Sequence, residues 1–316
     1  MSEYTKALEL IEKSRYILII THVNPDPDSI GSALALSNLF HENKIKHKVF
    51  NISSDLPQNL DFIPRFDKIS DQLPAFFDLA ISVDCGTYKR LGFELDSTIP
   101  LINFDHHKSN NNFGTVNIVD SQKSSTAELV FEFFKHNGLY ITKDSATALY
   151  VGIYDDTLAF SLGRCDEKTF EKINFLVECG ASPSEIANKL LRRDSLAKYR
   201  IIPKILESLE LFKEGEVASI VAREEWFKET GAHNRDCEDA LDMIMSIAIV
   251  RIAVFIRVVN GVSRVSLRSK GQIDVSKIAG EFDGGGHYNA AGCTLDMIDV
   301  EKAKDIVLKE IFEVYK

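Results

Sequence analysis

Three short apolar runs early in the chain each stop at aspartate or histidine. Tyr16 to Ile20 reads YILII and leads into Thr21-His22, with Asp26 and Asp28 just beyond. Leu79 to Val83 reads LAISV and stops at Asp84, and Leu101 to Phe104 reads LINF and stops at Asp105-His106-His107. Each run has the length of a strand. Between them the pattern turns helical. Asp28 stands before SIGSALALSNLF as a helix N-cap, and Ser125 to Glu128 forms a capping box ahead of AELVFEFFKHNG, which stops at Gly138. Strands alternating with helices predict an α/β domain around a parallel sheet. The carboxyl ends of such strands share one edge, where ligands bind, so the three clusters are expected to converge there.

Converging carboxylates repel and raise one another's pKa unless cations lie among them. Taken singly, each feature has an ordinary reading: Asp28 as a cap, Asp84 or Asp105 as a turn residue, His106-His107 as a surface pair. Their coincidence at three strand ends points instead to metal. Asp155-Asp156, after the apolar segment TALYVGIY, is a candidate fourth contribution. Imidazole and carboxylate ligands without thiolates suit Mn²⁺, Mg²⁺ or Zn²⁺. So many ligands predict two ions, roughly 3.5–4 Å apart, able to activate a water and clamp a phosphoryl oxygen.

Residues 166–213 read as helical throughout, ending in LAKYRIIPKILESLELF, and the character changes after Gly215. VASIVAR is a strand candidate and DCEDALDMIMS a helix candidate. RIAVFIRVV and VSRVSLRS then flank Asn260-Gly261, a strong hairpin signal, and VEKAKDIVLKEIFEVYK closes the chain as an amphipathic helix. The expected organisation is an α/β domain at 1–190, a helical linker at 191–214 and a smaller α+β domain at 215–316. Residues 251–271 carry Arg251, Arg257, Arg264, Arg268 and Lys270 and no acidic residue. Strand alternation places Arg264, Ser266 and Arg268 on one face. Gly284 to Gly286 offer a close backbone approach and N–H groups to an anion.

The net charge of -10 argues for a small or locally gripped anionic substrate rather than a long nucleic acid, which needs a broad basic face. No apolar run approaches the roughly 20 residues of a membrane helix. The polar N-terminus has no signal-peptide core. The five cysteines are scattered and never form a CxxC pair, which suits a reducing cytoplasm.

These motifs resemble those of the DHH phosphoesterases. THVNPDPDSIGS resembles the first motif, SVDCG the second, FDHH the signature and GIYDDTLAF the fourth; SLRS followed by FDGGGHYNAAGC resembles a DHHA1 domain. Five ordered motifs span nearly the whole chain. The resemblance implies a parallel-sheet DHH domain joined to a DHHA1 domain and two divalent ions, usually Mn²⁺. His22, Asp26 and Asp84 would hold one ion, and Asp28, Asp84, His106 and Asp156 the other. Asp105 would orient its neighbours, and His107 would face the substrate phosphate. Arg264, Arg268, Ser269, Gly284, Gly285, Gly286 and His287 would bind the substrate. Leu158 and Asp283 stand where glycine is common in the family, and Asp155 where threonine is. The implied activity is hydrolysis of short single-stranded oligonucleotides or 3′-phosphoadenosine-5′-phosphate, in the cytoplasm and without an obligate protein partner. A cyclic or linear dinucleotide phosphodiesterase and a RecJ-like single-strand exonuclease are the alternatives.

Overall fold

The computed structural model describes residues 2–53, 56–161 and 165–315, apart from the side chain of His287. The chain forms two compact units, Met1–Arg193 and Asp194–Lys316. Among the described residues no helix is long and apolar enough to cross a membrane.

The first unit runs α1 (Glu3–Lys13), β1 (Ile17–Thr21), α2 (Pro27–Glu42), β2 (His47–Phe50), β3 (Ile69–Ser70), β4 (Leu79–Val83), β5 (Leu101–Asp105), β6 (Val116–Val119), α3 (Thr126–His136), α4 (Lys143–Asp156), α5 (Glu167–Glu178) and α6 (Pro183–Leu191). Its sheet is parallel throughout, in the order β3-β2-β1-β4-β5-β6. The order reverses between β1 and β4, and the crevice at such a switch point is where open α/β sheets bind ligands. The runs expected to be strands are strands. β1, β4 and β5 are buried along their whole length, as central parallel strands must be.

Ile17, Ile19, Ile81, Val83, Ile102 and Phe104 belong to a core shared with the helices. Leu18, Ile20 and Ala80 belong to a second core beneath the irregular segment after β4, with Phe77, Tyr88 and Phe93. Helix α2 is buried nearly all round and packs closely on α4. Gly31 permits that approach, because a Cβ there would lie 2.5 Å from the carbonyl oxygen of Ala148.

The second unit runs α7 (Leu196–Glu207), β7 (Glu210–Phe212), β8 (Val217–Ala222), α8 (Glu224–Thr230), α9 (Asp239–Met245), β9 (Ile252–Val259), β10 (Val262–Ser269), α10 (Val275–Gly280), β11 (Gly285–His287), β12 (Ala290–Leu295) and α11 (Val300–Val314). The mixed sheet has the order β11-β12-β10-β9-β8-β7, and its β8–β9 pair is parallel. Asn260 and Gly261 take positive φ, 52° and 82°, and close the expected hairpin. The run expected to stay helical to residue 213 ends at Glu207, and Glu210–Phe212 instead pairs with β8. Ile201, Ile202 and Ile205 of α7 are buried in the core of this second unit. One sheet face packs on α10 and α11, and the other on α7 and α9.

Candidate metal centre

Each donor side chain is aimed by the element that carries it. His22 follows β1 and is buried, and Asn51 Nδ2 donates to its carbonyl oxygen at 2.7 Å. Its Nδ1 lies 2.9 Å from the Val23 carbonyl and its Nε2 faces the carboxylates of Asp26 and Asp84. Asp26, rather than Asp28, is the N-cap of α2: Pro27 opens the helix, and Asp26 Oδ1 accepts from Ser29 N at 2.9 Å. The second oxygen of Asp26 lies 3.2 Å from His22 Nε2. Asp28 sits inside the first turn and receives a different helix. Its two oxygens accept from Thr126 N at 2.7 Å and Ala127 N at 2.9 Å, at the start of α3.

Asp84 lies at the middle of the cluster. Its Oδ2 is 3.4 Å from His22 Nε2, and its Oδ1 is 3.6 Å from His106 Nε2 and 3.5 Å from His107 Nδ1. Thr126 Oγ1 donates to the same Oδ1 at 2.9 Å. Asp105 accepts from His107 Nδ1 at 2.7 Å and from Asn110 Nδ2 at 2.6 Å. His106 Nε2 lies 3.2 Å from Asp156 Oδ2, at the end of α4. Gly152, one turn earlier, leaves room for Asp28: a Cβ there would lie 2.7 Å from Asp28 Oδ1.

Three groups of donor atoms each lie within 4.8 Å of one another: His22, Asp26 and Asp84; Asp84, His106 and His107; and Asp28, His106 and Asp156. Asp84 and His106 are each shared by two groups. Asp155 joins none of them. All these donors are nitrogen or oxygen. The nearby Cys85 thiol is pushed well above its ordinary pKa by burial and then by Asp84, so it offers no thiolate. The set therefore fits divalent metal binding.

The charge balance points the same way. Burial, and then the neighbouring carboxylates, hold Asp28 well above the usual range and push Asp156 up to about 8. Burial and then Asp26 raise Asp155 to about 7. Burial opposes a charged His22, but its hydrogen bonds to Asp26 and Asp84 outweigh that and raise it to about 10. Asp26 is lowered to about 2, because His22 outweighs the cost of burying its carboxylate. Burial also opposes a charged His107, and the bond to Asp105 again wins and raises it, whereas burial lowers His106.

A pH dependence follows. Asp155 and Asp156 keep protons in the metal-free folded protein that the unfolded chain releases above about pH 4. Their contribution to stability is full below that pH and is lost as pH rises through about 7 and about 8. His22 acts in the same direction up to about 10, while the lowered Asp26 loses its contribution only as pH falls below its ordinary range. A divalent ion substitutes for the missing protons. The rise in Tm on adding Mn²⁺ should therefore be several degrees larger at about pH 8 than at about pH 5.5. Thermal melts at both pH values check this, and equal shifts would show that the carboxylates do not exchange protons for metal.

In the second unit, Arg264, Ser266 and Arg268 lie on one sheet face, the one that α9 covers in part. Ser269 is turned away from it. Its buried hydroxyl donates to the Ile273 carbonyl at 2.6 Å and accepts from Asn289 Nδ2 at 2.9 Å. Gly284 packs tightly, since a Cβ would lie 2.4 Å from the Gly292 carbonyl oxygen, and Gly285 and Gly286 pair with β12 as part of an edge strand. The His287 backbone belongs to that strand, but its side chain lies outside the described residues.

Sequence reasoning missed four supporting residues: Asn51, Arg90, Asn110 and Thr126. The Arg90 guanidinium reaches His22 Nδ1 at 2.9 Å. Its place shortly after the Asp84 motif carried no signal of that contact. Thr126 was legible as the first residue of a capped helix, but not as a donor to Asp84.

Residues 16–153 match the model of the DHH family, N-terminal domain, and residues 216–315 match that of the DHHA1 domain. The chain is similar to the bifunctional oligoribonuclease and PAP phosphatase NrnA of Thermus thermophilus, with 29% identity over 94% of this chain and 89% of that protein. It is likewise similar to the NrnA of Bacillus subtilis, with 26% identity over 92% of this chain and 93% of that protein. Among solved structures it is similar to an exopolyphosphatase-related protein from Bacteroides fragilis, with a TM-score of 0.91, 25% identity and coverage of 98% of this chain and 96% of that one.

Proposed function

Because the chain belongs to the DHH family and carries a DHHA1 domain, we propose that it is a metal-dependent phosphoesterase acting on short oligonucleotides and on 3′-phosphoadenosine-5′-phosphate. The observation that carries this reading is the overlap of three donor groups at the switch point of the sheet, with Asp84 and His106 each serving two. The substrate class is that named for the two NrnA relatives, which align over nearly the full length of both chains.

In this reading the first unit is the catalytic domain and the second binds substrate; of the stretch 191–214 expected as a linker, α7 and β7 are instead built into the second unit. His22, Asp26 and Asp84 hold one ion; Asp28, Asp84, His106 and Asp156 hold the second, with Mn²⁺ the preferred metal. Bound ions supply Lewis acidity, polarising a phosphoryl oxygen and lowering the pKa of water. The chain's own residues do the rest. The amides of Thr126 and Ala127 and the Thr126 hydroxyl fix Asp28 and Asp84, so their carboxylates need little reorganisation. His107, whose Nδ1 is held by Asp105 and whose charged form that bond favours, donates its Nε2 proton to the leaving oxygen. Arg264, Arg268, the glycine run and His287 hold the remainder of the substrate. The reading places the protein in the cytoplasm and implies no obligate protein partner.

The test is kcat/KM across single-stranded RNAs of two to about twenty nucleotides at fixed salt, with 3′-phosphoadenosine-5′-phosphate alongside. A strand of many nucleotides needs a continuous basic track, and this acidic chain concentrates its positive charge in residues 251–271. The rate constant should level off after a few nucleotides. A steady rise with length, and a salt dependence growing with it, would point to a processive exonuclease instead.

A further inference from the structure

The backbone from Lys123 to Ala127 touches three of the proposed ligands. The Lys123 carbonyl oxygen lies 3.4 Å from His106 Nδ1. The Thr126 hydroxyl donates to Asp84, and the amides of Thr126 and Ala127 donate to Asp28. Where this short segment sits therefore decides where three ligand side chains point. Two carboxylates of α3 hold the segment in turn. Glu128 is buried, and its amide donates to the capping hydroxyl of Ser125 at 3.3 Å. Its side chain reaches past Ser125 to the residue before it: Oε1 accepts from the Ser124 amide at 3.1 Å and from the Ser124 hydroxyl. Glu132, one turn on, accepts from the Lys123 ammonium at 2.5 Å.

Both carboxylates meet one cation. Lys172 of α5 donates to Glu128 Oε2 and, at 2.9 Å, to Glu132 Oε1. Thr169, three residues earlier on α5, adds its hydroxyl to Glu128 Oε1 at 3.2 Å. Lys172 is itself buried, where lysine is almost never found unless paired. Burial opposes its charge, but the bond to Glu128 outweighs that and raises its pKa. A buried ion pair is a poor way to stabilise a fold, because both charges lose their water and an apolar pair of similar size often does as well. An apolar pair could hold α5 on α3. It could not accept from the Ser124 amide and hydroxyl and from Thr169 at once. The arrangement therefore fits a device that fixes the Lys123–Ala127 backbone.

We propose that Lys172 is a positioning residue for the metal centre: by holding Glu128 and Glu132 it fixes the Lys123–Ala127 segment, and through that segment the directions of Asp28, Asp84 and His106. The inference rests on the phosphoesterase reading above and adds to it a residue that touches neither metal nor substrate. Groups that orient metal ligands from outside typically change metal affinity or activity by about 10–100-fold when lost. Lys172 acts through one further layer, so its effect belongs at the lower end of that range.

The experiment measures Mn²⁺ binding to the full chain, by electron paramagnetic resonance of the free ion, alongside Tm, kcat and KM. Lys172→Met alone would leave Glu128 charged, buried and short of its partner, so it is combined with Glu128→Gln. The double variant should raise the Kd for Mn²⁺ on the order of tenfold and lower kcat by a similar factor, with substrate KM moving less than about twofold. Lys172→Arg keeps a cation between the two carboxylates and should bring the Kd back to within about threefold of wild type. Ser124→Ala leaves the Lys172–Glu128 pair intact and cuts one of its links to the segment. It should raise the Kd about threefold with little change in Tm, and it decides the question if the double variant fails to fold. A double variant that melts lower yet keeps the wild-type Kd and kcat would show that the pair only holds α5 on α3, and would overturn the proposal. A rise in substrate KM with the Kd for Mn²⁺ unchanged would overturn it too. Wild-type protein that binds no Mn²⁺ and turns over no nucleotide would instead overturn the phosphoesterase reading on which the inference rests.

Discussion

Asp84→Asn should abolish turnover, lowering kcat at least about a thousandfold, roughly 4 kcal/mol of transition-state stabilisation. Among the described residues Asp84 is the one carboxylate that neighbours His22, His106 and His107 together, and it belongs to two of the three donor groups. Neutralising it weakens both proposed ion positions, while the asparagine amide oxygen still accepts from the Thr126 hydroxyl. Asparagine is the informative replacement. Asp84 holds a left-handed backbone, with φ at 59°, and asparagine tolerates that conformation far better than alanine, which would add strain to lost chemistry. The variant should melt at least as high as the metal-free wild type, because one of several mutually repelling charges is gone. Arg268→Ala should act mainly on KM. If Asp84→Asn remains folded and keeps near wild-type kcat, the ligand assignment is wrong.

Removing metal should have a comparable effect. In excess chelator turnover should drop to background, and Mn²⁺ should restore it more fully than Mg²⁺. The reason lies in the crowding of Asp26, Asp28, Asp84 and Asp156 around two buried imidazoles, where protons now balance charge that cations would balance better. The same treatment should lower Tm at neutral pH, where loss of ions held at about a hundred times their Kd costs roughly 2.7 kcal/mol. Full turnover in chelator, with no metal found by elemental analysis, would sink the two-ion mechanism.

Two of the three departures from the DHH pattern, Leu158 and Asp283, are backbone positions that glycine would suit, while the third, Asp155, lies within α4. Leu158 takes φ 46° and is followed by Ala159 and Phe160 at 55° and 64°, a left-handed turn after Asp156 made without glycine. Asp283 takes φ 54° before the glycine run. Left-handed backbone costs a non-glycine residue roughly 1–2 kcal/mol, less for aspartate. At both positions the side chain was visible in the sequence and the conformation it must adopt was not.

Legible along the chain are the candidate donors, the alternation that makes a parallel sheet, and the strand ends that carry those donors to one edge. Those signals are local: an apolar run, a capping residue and an Asn-Gly turn are each decided by neighbours along the chain. Tertiary structure decided the rest. Asp28 reads locally as a cap for its own helix, yet its carboxylate accepts the first amides of α3, a partner 98 residues away, while Asp26 caps α2. Asp156 reaches His106 from the last turn of a helix rather than from a strand. Ser269 looks like a ligand beside Arg268, but the pleat turns neighbouring side chains to opposite faces and buries it. Lys172 finds Glu128, 44 residues earlier, only because α5 packs on α3. A side chain's type is written at its own position, but its partner is set by which distant backbone packs against it, and that is fixed only when the whole core forms.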